Sequence, residues 1–188
     1  MHTHIRRALV PAAVILLAAC QGEADKAGGD TAEQARPSSR TLAATLKAED
    51  GFGTLEGAAV NAGLGGVLEG VGPYTVFAPA DAAFATAGGD FTDESMRAQS
   101  AALLRAHIVP GALTRRDIEA AIAGDEDGRV EMRTMAGSLL TFSRDGEAIV
   151  VGAENGAQGR LTGEEHLASN GVLQPVDGLL VRPAPDAS

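Results

Sequence analysis

Few side chains in this sequence could carry chemistry, and their spacing narrows the choice further. Outside the first 19 residues there are two histidines, His107 and His166, and the chain has one cysteine, Cys20. A nucleophilic serine would need a histidine and an acid beside it. Ser169, His107 and Asp81 could supply such a set, yet no serine stands in a Gly-x-Ser-x-Gly elbow and nothing else points to that trio. Metal binding fares no better, because the chain lacks a His-x-x-x-His pair and has no set of thiolates. Asp125-Glu126-Asp127 and Glu164-Glu165 lack the alternating oxygen ligands of a calcium loop and read as solvated loop charge. The cluster Gly63-x-Gly65-Gly66-x-x-x-Gly70 follows no strand and has no Gly-Lys-Ser/Thr ending, so it reads as a helix end and a turn rather than a phosphate loop. The expectation is a non-enzymatic protein with no metal and no cofactor. His107 stands at a predicted helix end, which gives it a local task, donating to orphan helix carbonyls.

Cys20 belongs to a different chemistry. Arg6 and Arg7 precede an apolar stretch from Ala8 to Ala19, and small residues stand before the cysteine. A basic start, a short apolar run and a small-residue cut site make an export signal. The run is too short to span a bilayer, which takes roughly 20 residues. Leu17-Ala18-Ala19-Cys20 also resembles the lipobox of bacterial lipoproteins. That resemblance implies cleavage before Cys20, a diacylglyceryl group on its sulfur and an acylated amino terminus. With Gln21 next, it implies an outer-membrane destination and a place in the cell envelope. Removing residues 1–19 takes away Arg6 and Arg7 and no acid, so the formal charge moves from −10 to −12. An acidic surface with one tyrosine and no tryptophan argues against nucleic acid as a partner. The lipid, not charge, must hold the protein to a membrane.

The elements that position these residues are legible in the pattern. Residues 20–39 are rich in Gly, Ala, Ser and charge and predict a flexible tether, about 25 Å long on average. A folded domain is expected over 40–183, with a proline-containing tail at 184–188. Leu42 and Leu46 predict a first helix, and a second, capped by Thr54, carries Leu55, Ala58, Ala59 and Ala62. Tyr74–Ala78 reads as a strand after Gly72-Pro73. A short helix over Ala82–Ala85 follows, then a longer one from about Thr92 to His107. Thr114-x-x-Asp117 predicts a capping box opening a helix that buries Ile118, Ala121 and Ile122. Beyond Gly124 the pattern turns to strands at 130–135, 139–143, 148–151, 172–176 and 179–181, with Asp145-Gly146 as a hairpin turn. Helices first and a mostly antiparallel sheet later predict an α+β domain.

Three ordered segments resemble the fasciclin-like domain. Tyr74-Thr-Val-Phe-Ala-Pro-Ala-Asp-Ala-Ala-Phe84 is similar to the family's first motif. Leu104-Arg-Ala-His-Ile-Val-Pro-Gly111 is similar to its central Leu-x-Tyr-His-Val-Val-x-Gly segment. Ala168-Ser-Asn-Gly-Val-Leu-Gln-Pro-Val-Asp-Gly-Leu-Leu-Val-Arg-Pro183 is similar to its closing motif, and Thr134-Met-Ala-Gly137 fits the Thr-x-x-Gly before its hairpin. The resemblance implies a β-wedge with mostly antiparallel strands packed against a layer of short helices, and a role in adhesion. Within it, Thr75, Phe77, Pro79, Phe84, Asn170, Gly171 and Asp177 read as structural. Phe77 and Phe84 are spaced for burial, Pro79 ends a strand, Asn170-Gly171 makes a turn and Asp177-Gly178 a kink. The departures concern function. Ala106 replaces the tyrosine of a Tyr-His pair tied to adhesion in animal members, so the resemblance implies His107 alone as a candidate binding residue; Gln174 stands where histidine is usual, and Gly163-Glu-Glu-His-Leu167 replaces an integrin-type Asn-Lys-Asp-Ile segment. Two readings follow: a lipid-anchored module that binds an envelope protein or polysaccharide, or a small-ligand or lipid carrier with an apolar cleft.

Overall fold

The protein is described by a computed structural model over residues 38–182. The signal, Cys20, nearly all of the expected tether and the tail lie outside the described residues. At the boundary, the Ser38 N–H already donates to the Leu167 carbonyl at 2.9 Å, two residues before the expected domain start.

The first half is helical and short-ranged. α1 spans Leu42–Ala48, with the Thr41 hydroxyl accepting from the Ala44 N–H. α2 spans Gly53–Asn61 and α3 spans Gly65–Glu69, so Gly65 and Gly66 lie in a helix rather than in the expected turn. Thr54 does not cap α2. It sits inside the helix, and its N–H is taken at 2.8 Å by Asp81 Oδ1 from 27 residues away. That carboxylate does the capping because α4, Asp81–Ala85, packs against α2 directly after strand β1, Tyr74–Pro79. A 3-10 turn over Glu94–Met96 leads into α5, Arg97–His107, which continues without a break into β2, Ile108–Pro110. α6, Arg115–Gly124, has the expected capping box. The Thr114 hydroxyl takes the Asp117 N–H, while the Asp117 carboxylate takes the Thr114 N–H. Its Ile118 and Ile122 are buried, and Ala121 is half-buried.

The second half supplies β3 (Arg129–Arg133), β4 (Leu139–Asp145), β5 (Ala148–Ala153), β6 (Gln158–Arg160), β7 (His166–Ala168) and β8 (Gly171–Val176). Asp145 pairs with Ala148, so the hairpin turn is Gly146-Glu147, one residue later than expected, with Gly146 at φ +63°. Leu179–Val181 is not a strand. The Leu180 N–H donates to a histidine ring instead of a neighbouring strand, which draws the segment off any ladder.

Among the described residues two four-stranded sheets result, ordered β2-β1-β8-β7 and β3-β4-β5-β6. Every strand pair is antiparallel except β1 with β8, which is parallel from Tyr74 opposite Gly171 to Pro79 opposite Val176. A bridge between Leu161 and Val176 joins the two sheets at one corner. The first sheet is the divider of the molecule. One face, with Val76, Ala78, Ile108 and Leu173, packs on the helices α1–α5 around Leu55, Leu68 and Leu104. The other face, with Phe77, Val109 and Val176, packs on α6 and the second sheet around Leu140, Phe142 and Val151. Both faces of its inner strands are covered, so all six residues of β8 are buried.

Candidate functional site

The segments that carry the family resemblance are far apart in sequence and adjacent in space. β1, β2, β7 and β8 are the four strands of the first sheet, so Thr75, Phe77, Pro79, His107, Asn170, Gly171 and Gln174 all lie on it or at its ends. What each polar side chain does there can be followed bond by bond.

His107 is fully buried as the last residue of α5. Its Nδ1 lies 2.8 Å from the Leu103 carbonyl one turn back, which can only accept. Nε2 accepts from the Leu180 N–H at 2.9 Å. The ring is therefore the neutral Nδ1–H tautomer, and neither nitrogen reaches the surface. Burial pushes its pKa down to about 4, with the Leu103 bond opposing. Thr75 donates from Oγ1 to the Gly111 carbonyl at 2.7 Å and accepts from the Leu113 N–H at 2.8 Å, fastening the β2–α6 connection to β1.

Asn170 links three elements. Its Oδ1 accepts from the Leu42 N–H at 2.8 Å, at the start of α1. Its Nδ2 donates to Leu68 at 2.9 Å and Gly70 at 2.7 Å, where α3 ends and its carbonyls lack helical partners. Gly171 follows because β8 crosses close to β1, and any Cβ would collide with the Tyr74 carbonyl and crowd Leu42. Asp177 accepts from the Arg160 N–H at 2.6 Å, tying the end of β8 to β6. Phe77 packs 5.1 Å from Phe142 between the two sheets, and Phe84 lies edge-on to Phe91 at 5.6 Å.

One polar cluster was not anticipated. Gln174, fully buried, donates to Glu165 Oε2 at 2.7 Å and to the Leu113 carbonyl at 3.2 Å, and accepts from Arg115 at 3.3 Å. Glu165 Oε2 also takes the Arg115 N–H at 2.6 Å, in the first turn of α6, where a carboxylate complements the helix dipole. The Arg115 guanidinium reaches back to the carbonyls of Thr162 and Gly163 at 3.1 and 2.7 Å. The Gly163–Leu167 segment is thus clamped to α6. Its one sequence signal was Gln174 at a position where the family resemblance implies histidine; the 50-residue separation of Arg115 and Glu165 gave none.

The possible Ser-His-Asp set does not form. The Ser169 N–H bonds the Arg40 carbonyl, Asp81 caps α2, and His107 faces Leu103 and Leu180. Among the described residues no three His, Cys, Asp or Glu side chains group closely enough to hold a metal ion, and no helix is long and apolar enough to cross a membrane. A depression of about 550 Å³ between α2 and the start of α5 is lined by Glu56, Val60, Asn61, Glu94 and Arg97. It is open and mostly polar, unlike the apolar cleft a lipid carrier needs.

Known proteins resemble this chain in sequence or in fold. The transforming growth factor-beta-induced protein ig-h3 of Sus scrofa is 30% identical over 138 residues, which cover 72% of this chain and 18% of that protein. Protein sll1483 of the bacterium Synechocystis sp. is 28% identical over 156 residues, covering 80% of this chain and 78% of that one. Human stabilin-1 is 32% identical over 151 residues, 77% of this chain and 5% of its own length. This chain therefore spans a small part of the two animal relatives and most of the bacterial one. The structure of the FAS1 domain pair from the insect cell adhesion molecule Fasciclin I superposes with a TM-score of 0.62 at 15% identity, covering 76% of this chain and 51% of that chain. The family model of the Fasciclin domain matches residues 50–182, the stretch in which the ordered motifs come together as one sheet, and the chain belongs to that family.

Proposed function

We propose that this protein is a lipid-anchored, non-enzymatic module of the cell envelope that binds a protein or polysaccharide and so serves adhesion. The observation that carries the reading is where its buried polar side chains go. Thr75, Ser100, His107, Asn170 and Gln174 are buried, and each bonds backbone groups of other elements or of its own helix. Those groups hold the scaffold together, which leaves recognition to the surface. The similarity to a domain pair from an insect cell adhesion molecule supports adhesion at the level of fold. The anchor rests on Leu17-Ala18-Ala19-Cys20 and the signal before it.

One pair of strains tests both parts. Cells making the protein or its Cys20→Ser variant are fed a fatty-acid analogue, and the protein is recovered with whatever envelope material it holds. The expected result is label and membrane association in the parent, and in the variant no label, the protein being left uncleaved or released into the soluble fraction. Label retained on Cys20→Ser would refute the anchor. Failure of the parent to retain any envelope component would refute the binding role.

A further inference from the structure

Among the described residues, one broad face of the second sheet has no layer over it. β4 and β5 turn Leu140, Phe142, Ile149 and Val151 into the core, so Thr141, Ser143, Val150 and Gly152 point the other way, towards solvent. The flanking strands carry long, exposed side chains on that same side. Register places Arg129, Ser143, Val150 and Arg160 in one row across the sheet, and Glu131, Thr141, Gly152 and Gln158 in the next. Two strands of short side chains between two strands of long ones form a trough, about 10 Å wide at the usual strand spacing. At its β6 side the floor drops into a depression of about 350 Å³ beside Ser143, Asp145, Gln158, Arg160 and Asp177.

The charges on this face differ from those of the whole. The chain carries a formal −10, yet here Arg129, Arg133 and Arg160 stand against Glu131, Asp145, Glu154 and Asp177, a nearly even mixture. Arg160 is paired with Asp145 at 2.7 Å, and both remain more than half exposed. A polyanion would meet the carboxylates and a polycation the arginines. An uncharged chain of hydroxyls meets donors and acceptors side by side. An extended peptide gains little, because β4 and β5 are inner strands paired on both sides, and strand addition uses a free edge.

We propose that this trough binds a segment of a neutral polysaccharide laid along β4 and β5. Val150 and Gly152 lie under the C–H face of a sugar ring, while Ser143, Gln158 and the Asp145–Arg160 pair take its hydroxyls. The inference rests on the reading of the protein as an envelope-binding module and names the chemistry of its partner.

The test titrates cellohexaose and maltohexaose, with an alginate hexamer as the acidic control, into the full chain in detergent micelles and follows the heat. At least one neutral hexamer should bind with a Kd of about 0.1–1 mM, hardly altered by salt, since neutral hydrogen bonds are not screened. At Gly152 an added Cβ meets only the Thr141 carbonyl, at 3.9 Å, so Gly152→Gln fills the floor without a backbone collision. It should raise that Kd at least about tenfold at an unchanged melting temperature. Ser143→Gln serves the same purpose should the first variant melt early, and Glu56→Gln in the other depression should change nothing. No heat with either neutral hexamer, binding of alginate alone, or equal affinity in the folded trough variants would each overturn the proposal. Retention of envelope material, measured alongside, separates the failures. If it persists while neutral hexamers do not bind, the trough assignment falls and the module reading stands.

Discussion

At the scale of single residues, His107 shows how a side chain that could do chemistry is spent on architecture. It closes α5 by donating to Leu103 and receives Leu180 from beyond β8, so one imidazole joins a helix end to the last described turn of the chain. Its protonation has a predictable sign. The unfolded ring titrates near 6.5 and the folded one at about 4, so the unfolded state takes the proton first as pH falls. The stabilisation is complete above 6.5, is lost between there and 4, and changes no further below. At pH 5 the loss is about 2 kcal/mol by that linkage. Urea melts at pH 7.5 and pH 5 should show it in the parent, over and above the carboxylates' share. His107→Gln has no such titration and should lose correspondingly less between the two pH values. Equal losses in both proteins would mean that the ring is already reached by solvent.

At the scale of elements, the sequence was readable where an element is long or carries its own start signal. The Thr114–Asp117 capping box and the helix end at His107 stand as read, and the Tyr74–Ala78 strand runs one residue further, because each is set by neighbours within a few residues; the start of that helix lies at Arg97 rather than about Thr92. What escaped reading was set from a distance. Asp81 rather than Thr54 caps α2, since a strand and a turn bring it there. β2, β6 and β7 are three residues each and owe their form to partners, so no local period reports them. The Arg115–Glu165–Gln174 clamp joins α6, a loop and β8, and no spacing rule spans such separations. The contact between the two sheets is the element-level feature most open to test. Phe77 on β1 meets Phe142 on β4, and both are fully buried. Phe77→Ala should cost about 3–5 kcal/mol, as deletion of a buried ring usually does. A denaturant midpoint that hardly moves would show that the sheets do not depend on this pair.

At the scale of the whole molecule, the fold is two cores separated by one sheet, and the sheet is built from both ends of the domain. β8 is the last strand among the described residues, yet it lies between β1 and β7 and contributes Leu173 to one core and Val176 to the other. A chain ending at Ser169 should therefore show no cooperative thermal transition, rather than a weakened one. A sharp melt in that truncated chain would mean that the helices and the second sheet fold without it. The order of synthesis gives this placement a consequence. A nascent chain leaves the ribosome with β1 and its helices first, and it must wait for roughly the last dozen described residues before either core can close. Until then no closed core competes with the extended polypeptide. Late delivery of a central strand would hold the polypeptide open to chaperones until β8 has been made.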